Sequence, residues 1–170
     1  MAHKNQQTEI LSAFEKRVLE ARKQIVNSQD EHNMEFVAEA KGVTYVNDSK
    51  SSTVESMMQS AQGVDAPVIL IMGGHDTDNN YMALSELRGK KIKSIIYLGT
   101  QDEDKIFKSY KNESMLFVTA INIEEAVKTA YAYGKTGDIV LFSPACSCNA
   151  LESYKMRGDE FKNVVRTLRG

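Results

Sequence analysis

Three short stretches of this 170-residue chain hold residue types that chemistry needs: 46–53 (VNDSKSST), 73–76 (GGHD) and 143–148 (SPACSC). In the first, Asp48, Ser49, Lys50 and Ser52 place an acid, hydroxyls and an ammonium where a strand gives way to a helix. Such a helix start suits a carboxylate or a phosphate. The same residues also suit an ordinary capping loop with a surface lysine. Cys146 and Cys148 with His75 offer soft metal donors, but a C-x-C pair and one distant histidine lack the spacing of a zinc site, and no metal is expected. Cys148 as a nucleophile has no base beside it in the sequence. His75 reads as a loop histidine able to meet an anion. Gly134-Lys135-Thr136 comes nearest to a phosphate-binding P-loop. Thr129 stands where that motif needs its first glycine, and the string ends a helix instead of following a strand, so it reads as a helix stop.

These stretches sit at the ends of apolar runs. Residues 68–72, 115–118 and 139–142 are continuous apolar segments, and 92–98 is a further such run broken by Lys93-Ser94, of the kind buried in parallel sheets. Residues 34–38 and 43–47 predict two short strands around a turn at Lys41-Gly42. Helices are predicted over 82–88, 102–110, 123–133 and from about Ala150 to Leu168. Ser52 or Thr53 caps another, which runs to about Gln62 and stops at Gly63. Alternating strands and helices imply right-handed crossovers. The expected fold is an α/β, Rossmann-like three-layer domain with a mostly parallel sheet and an initial antiparallel hairpin. Ligands in such folds lie at the carboxyl ends of the strands, here 47–50, 73–76, 99–100 and 143–146.

Ahead of the sheet, Leu11, Phe14, Val18, Ala21 and Ile25 recur in steps of three and four. They predict an N-terminal amphipathic helix from Thr8 to about Ser28, packed on its own domain or paired with a second copy. Residues 27–33 (NSQDEHN) read as a linker, which divides the chain into 1–31 and 32–170. Lys and Arg number 21 against 23 Asp and Glu, a net charge of −2, which argues against a nucleic-acid partner. Lys90, Lys91 and Lys93 read as a solvated patch. No apolar run reaches the ~18 residues of a membrane span, and the first ten residues lack a signal-peptide core. Two cysteines one residue apart suit a reduced, cytoplasmic setting better than a structural disulfide.

In order along the chain, GVTYVNDSKSST, VILIMGGHD, DIVLFSPACS and YKMRGDEFKNVV resemble the C-terminal domain of the Mur ligases, within them the D-glutamate-adding ligase of peptidoglycan synthesis. The resemblance runs from about His32 to Gly170. It implies a three-domain enzyme: one domain holds a UDP-sugar substrate, a central one binds ATP through a P-loop, and the third presents the amino acid. ATP converts a carboxylate to an acyl phosphate, which the amine attacks; positioning and charge neutralisation supply most of the rate. This chain has neither a P-loop nor room for the other two domains. ATP and magnesium would therefore enter only with a central domain supplied from elsewhere, and no catalytic residue carries over.

By the resemblance, His32, Asn33, Asp48 and Lys50 face a nucleotide, and Ser52, Thr77, Ser147, Cys148 and Tyr154 face the substrate. Several positions depart from the family. Asn33 replaces an arginine, Thr77 a lysine that meets the amino-acid carboxylate, and Cys148 a serine on the same carboxylate. The segment 149–154 is one residue shorter than in the family. Each charge-assisted hydrogen bond is worth about 1.5–3 kcal/mol net, so losing both carboxylate donors implies roughly a hundredfold weaker D-glutamate binding. Two readings follow. The first is a stand-alone, degenerate domain acting as a binding or interaction module, its partner D-glutamate, a peptidoglycan precursor, another Mur enzyme or a second copy met through the N-terminal helix. The alternative is the amino-acid-presenting part of a ligase whose other domains lie on another chain or were removed.

Overall fold

The computed structural model describes residues 16, 20, 30–73, 81–87, 91–99, 116–147 and 153–168. Lys16 and Glu20 are helical and exposed. The rest of the expected N-terminal helix, the expected helix over 102–110, and the site positions His75, Thr77 and Cys148 lie outside the described residues.

Strands β1 (Glu35–Ala40) and β2 (Val43–Asn47) form the antiparallel hairpin. Lys41 and Gly42 both take positive φ, 51° and 74°. That is the backbone of a two-residue primed turn, whose twist matches the paired strands. Strands β3 (Val68–Gly73), β4 (Ile92–Leu98), β5 (Leu116–Ala120) and β6 (Ile139–Phe142) complete a six-stranded sheet in the order β1-β2-β6-β3-β4-β5. Every neighbouring pair except β1–β2 is parallel. The last strand in sequence thus enters between β2 and β3. This insertion sets the three motif-bearing strand ends, Asn47, Phe142 and Gly73, side by side.

Side chains alternate across the sheet, and each face carries its own core. Val68, Leu70 and Met72 pack with α1 (Val54–Gly63) on one side; Ile69 and Ile71 pack with α2 (Ile123–Tyr133) and α3 (Tyr154–Thr167) on the other. The register slips beside Lys93: Val68 faces Ile92, but Ile69 faces Ser94. The slip puts Ile92 and Ile95, an odd number apart, into one core.

Thr53, not Ser52, caps α1; its hydroxyl accepts the Ser56 N–H at 3.1 Å. Asn122 caps α2 and Ser153 caps α3. The last helix begins at Tyr154 among the described residues, later than the expected Ala150. The α-helix expected over 82–88 is a 3₁₀ helix, Tyr81–Glu86. Tyr81 and Leu84 within it and Leu87 just after it are buried at every third position, as the tighter 3₁₀ turn requires. Three strands run past their expected ends, β1 to Ala40, β3 to Gly73 and β5 to Ala120. Two of the three lysines read as a solvated patch are engaged: Lys91 Nζ donates to the Val64 carbonyl at 2.6 Å, and Lys93 pairs with the buried Asp138; Lys90 lies outside the described residues.

Candidate functional site

The β2 strand runs into a loop whose first residues are fully buried. Asn47, Asp48 and Ser49 are each 0% exposed, whereas Lys50 and Ser52 are exposed. Asp48 does not cap α1. One of its carboxylate oxygens accepts the Ser143 hydroxyl at 2.7 Å, and the other accepts the Met34 N–H at 3.3 Å. Burial pushes the Asp48 carboxyl up, while bonds from the Ser143, Ser51 and Ser60 hydroxyls and the Met34 amide pull it back; the net direction is upward.

Backbone bonds join the neighbouring loops. Asp48 N–H donates to the Phe142 carbonyl at 2.8 Å, Ala145 N–H to Ser51 at 3.2 Å, and Gly73 N–H to Pro144 at 2.8 Å. The buried Cys146 thiol donates to the Gly73 carbonyl at 3.1 Å. The ends of VNDSKSST, GGHD and SPACSC therefore form one rim.

Helix α3 closes this rim from one side. Arg157, 6% exposed, donates to the Ser49 carbonyl at 2.8 Å and to the Cys146 carbonyl at 3.1 Å. All its acceptors among the described residues are backbone carbonyls and the Cys146 sulfur, so it acts as a clamp between two loops. Gly158 lets the helix approach. A Cβ there would lie 2.3 Å from both His32 Nδ1 and Ser49 Oγ. One turn on, Lys162 is 7% exposed, with its ammonium 2.9 Å from Glu31, 3.1 Å from Asp159 and 3.3 Å from Glu35.

The Lys162 hydrogen bonds hold the exposed Glu31 and Asp159 carboxyls below the usual range. Burial pulls Lys162 down, but its carboxylate partners outweigh that and keep it above its ordinary value. Glu31, His32 and Asp159 bring donor atoms within 4.8 Å of one another, the spacing of a metal site. The Lys162 ammonium already supplies positive charge among those carboxylates.

Of the residues expected to face ligands, Lys50, Ser52 and Ser147 are exposed on or beside the rim. Asn33 is half-buried, its amide 3.2 Å from Asp30. Tyr154 is half-buried and meets the His32 ring edge-on at 5.8 Å. His32 and Asp48 lie beneath the surface. Sequence reasoning gave no role to Asn47, Arg157, Gly158 or Lys162. A glycine inside a helix, following an arginine, was the available signal, because glycine there costs about 1 kcal/mol relative to alanine and needs a packing reason.

The site thus sits in a mostly parallel three-layer α/β domain whose three central strand ends are joined and closed on one side by α3. A family model described as "Mur ligase, glutamate ligase domain" matches residues 32–146, and the chain belongs to that family. UDP-N-acetylmuramoylalanine–D-glutamate ligase of Clostridioides difficile is 41% identical over 141 residues, covering 82% of this chain and 31% of that protein. The enzyme of the same name from Porphyromonas gingivalis is 38% identical over 138 residues, covering 81% and 30%. The chain therefore spans about a third of the length of these relatives. Folylpolyglutamate synthase of Thermotoga maritima shares the fold, with a TM-score of 0.50 at 16% identity over 81% of this chain and 31% of that one. Among the described residues no helix is long and apolar enough to cross a membrane.

Proposed function

We propose that the chain is a ligand-binding domain of the D-glutamate-adding Mur ligase type that does not itself carry out ligation. The observation that carries this reading is the rim. Loops 47–52 and 143–147 are bonded to each other and to Gly73, with Arg157 behind them and Lys50, Ser52 and Ser147 exposed. Such a rim offers hydroxyls and an ammonium to a small anion. With Thr77 and Cys148 in place of a lysine and a serine, carboxylate recognition is weakened. Calorimetry with D-glutamate should find weak binding or none, and Thr77→Lys with Cys148→Ser should tighten it. The chain alone should release no phosphate from ATP. Tight D-glutamate binding by the unmodified chain, or phosphate release that depends on it, overturns the proposal.

The completeness of the Asn47–Asp48–Ser49 and Ser143–Cys146 network favours a second reading, in which the domain works with the other ligase domains on a separate chain. Mixing it with the first two domains of the C. difficile relative tests this. D-glutamate-dependent phosphate release only in the mixture supports the second reading, and its absence leaves the binding module.

A further inference from the structure

His32 is the ring that the motifs direct toward a nucleotide, yet it is 3% exposed. Its surroundings fix its chemistry. The Asn47 side-chain oxygen accepts the Ser49 N–H at 3.2 Å, and the Asn47 amide nitrogen donates to Glu35 Oε2 at 2.9 Å. An N–H and a carboxylate cannot exchange those places, so the orientation of the amide is settled by its partners. The same amide nitrogen lies 3.1 Å from His32 Nδ1. A donor pointing there requires Nδ1 to be a bare acceptor, and the Ser49 hydroxyl, 3.3 Å away, can donate to it as well. The proton of the neutral ring then belongs on Nε2, which faces Glu31 and Asp159 at 3.8 Å each. Helix α3 seals the other side, with Tyr154 on the ring edge and Gly158 over Nδ1.

The backbone of His32 is tied into the same loops. Its N–H donates to Glu35 Oε2 at 3.0 Å, and its carbonyl accepts the Lys50 N–H at 3.0 Å. Its φ of 67° is left-handed, a conformation unfavourable for a non-glycine residue and here held by bonds on both sides. Side chain and main chain of one residue thus grip the loop at Asn47, Ser49 and Lys50.

We propose that His32 is a positioning residue: locked as the neutral, Nε2-protonated tautomer, it holds the loop that presents Lys50 and does not itself touch ligand. The role assigned to Lys50 rests on the functional reading above; the tautomer and the loop restraint do not. Imidazole ¹⁵N spectra of the full chain at neutral pH should show His32 with a bare Nδ1 and a protonated Nε2. A protonated Nδ1 or a charged ring overturns the proposal, whatever any variant does. His32→Asn keeps a side-chain acceptor near the δ position and suits left-handed φ; His32→Phe keeps the bulk without the acceptor. The Lys50 amide should exchange with solvent at the wild-type rate in His32→Asn. In His32→Phe it should exchange roughly tenfold faster, the loss of about one net hydrogen bond. Equal protection in both variants overturns the proposal. D-Glutamate titration of the wild type, measured alongside, reports on the functional reading: tight binding overturns that reading while the ring and amide signals still decide the role of His32.

Discussion

Tyr45 and Asn47 stand two residues apart on β2, on the same face of the sheet, and both are 0% exposed. Their polar groups meet opposite fates. The Asn47 amide bonds to Ser49, Glu35 and His32. The Tyr45 hydroxyl is, among the described residues, the buried side-chain atom left with no hydrogen-bond partner. Burial, with a smaller contribution from Tyr131, pushes the Tyr45 phenol up and keeps it neutral. The difference shows two reasons for burying polar atoms. At the strand end the polar atoms build the scaffold of the rim. Within the strand the ring is buried for its apolar area, packed among Ala38, Ile71 and Phe161 in one core, and the hydroxyl comes with it.

If the strand-end region is a device of fitted parts, disturbing its fit should have the largest effect. Gly158→Ala is the sharpest intrusion. In an ordinary helix interior that change stabilises by about 1 kcal/mol. Here the new Cβ would lie 2.3 Å from two polar atoms of the rim scaffold. The expected outcome in urea titration is a loss of about 1–3 kcal/mol, with α3 displaced from the loops. Gly63→Ala is the control, since a Cβ at Gly63 meets nothing within 4 Å. If the two variants behave alike, the close approach of α3 is not a constraint.

A smaller effect of definite sign should come from Asp48→Asn. Because burial holds the folded-state Asp48 carboxyl above its ordinary value, its contribution to stability is fully present below the unfolded-state pKa of about 3.9 and is lost as pH rises through the folded-state value. Asparagine does not titrate. The variant should therefore gain on the wild type as pH is raised from about 4 to neutral, in urea titrations at each pH. A difference that does not change with pH would mean that Asp48 is not destabilised by burial.

The fold was legible where the signals were long and redundant. Apolar runs such as VILIM are bounded by turn residues, and period-two and period-three-to-four patterns do not imitate each other over that length. The hairpin turn was legible because Lys41-Gly42 has one residue that accepts positive φ freely. The 3₁₀ helix at Tyr81 was not, because a spacing of three fits both helix types in so short a segment. The placement of Lys50, Ser52 and Ser147 was legible as well, since they lie exposed in loops at strand ends that the apolar runs already mark. Arg157 and Lys162 were not: both are charged residues that read as solvent-facing on an amphipathic helix, and only the tertiary fold supplies the carbonyls and carboxylates that draw them inward. The insertion of β6 between β2 and β3 was equally hidden, because strand order is decided by crossovers and not by the strands' own composition.

The smallest expected effect lies at Tyr45, and its sign decides whether the contrast with Asn47 is real. Leaving a buried hydroxyl unpaired costs about 1–3 kcal/mol relative to a satisfied one, and the phenol has already lost its water. Tyr45→Phe removes that oxygen and keeps the ring that fills the core against Phe161 and Ile71. The cavity left is a single atom in size, so the lost packing is small. The variant should be as stable as the wild type or more stable, by up to about 1 kcal/mol, with an unchanged slope against urea. A clear loss of stability would mean that the hydroxyl has a partner, such as a buried water, and that the middle of β2 is as fully satisfied as its end.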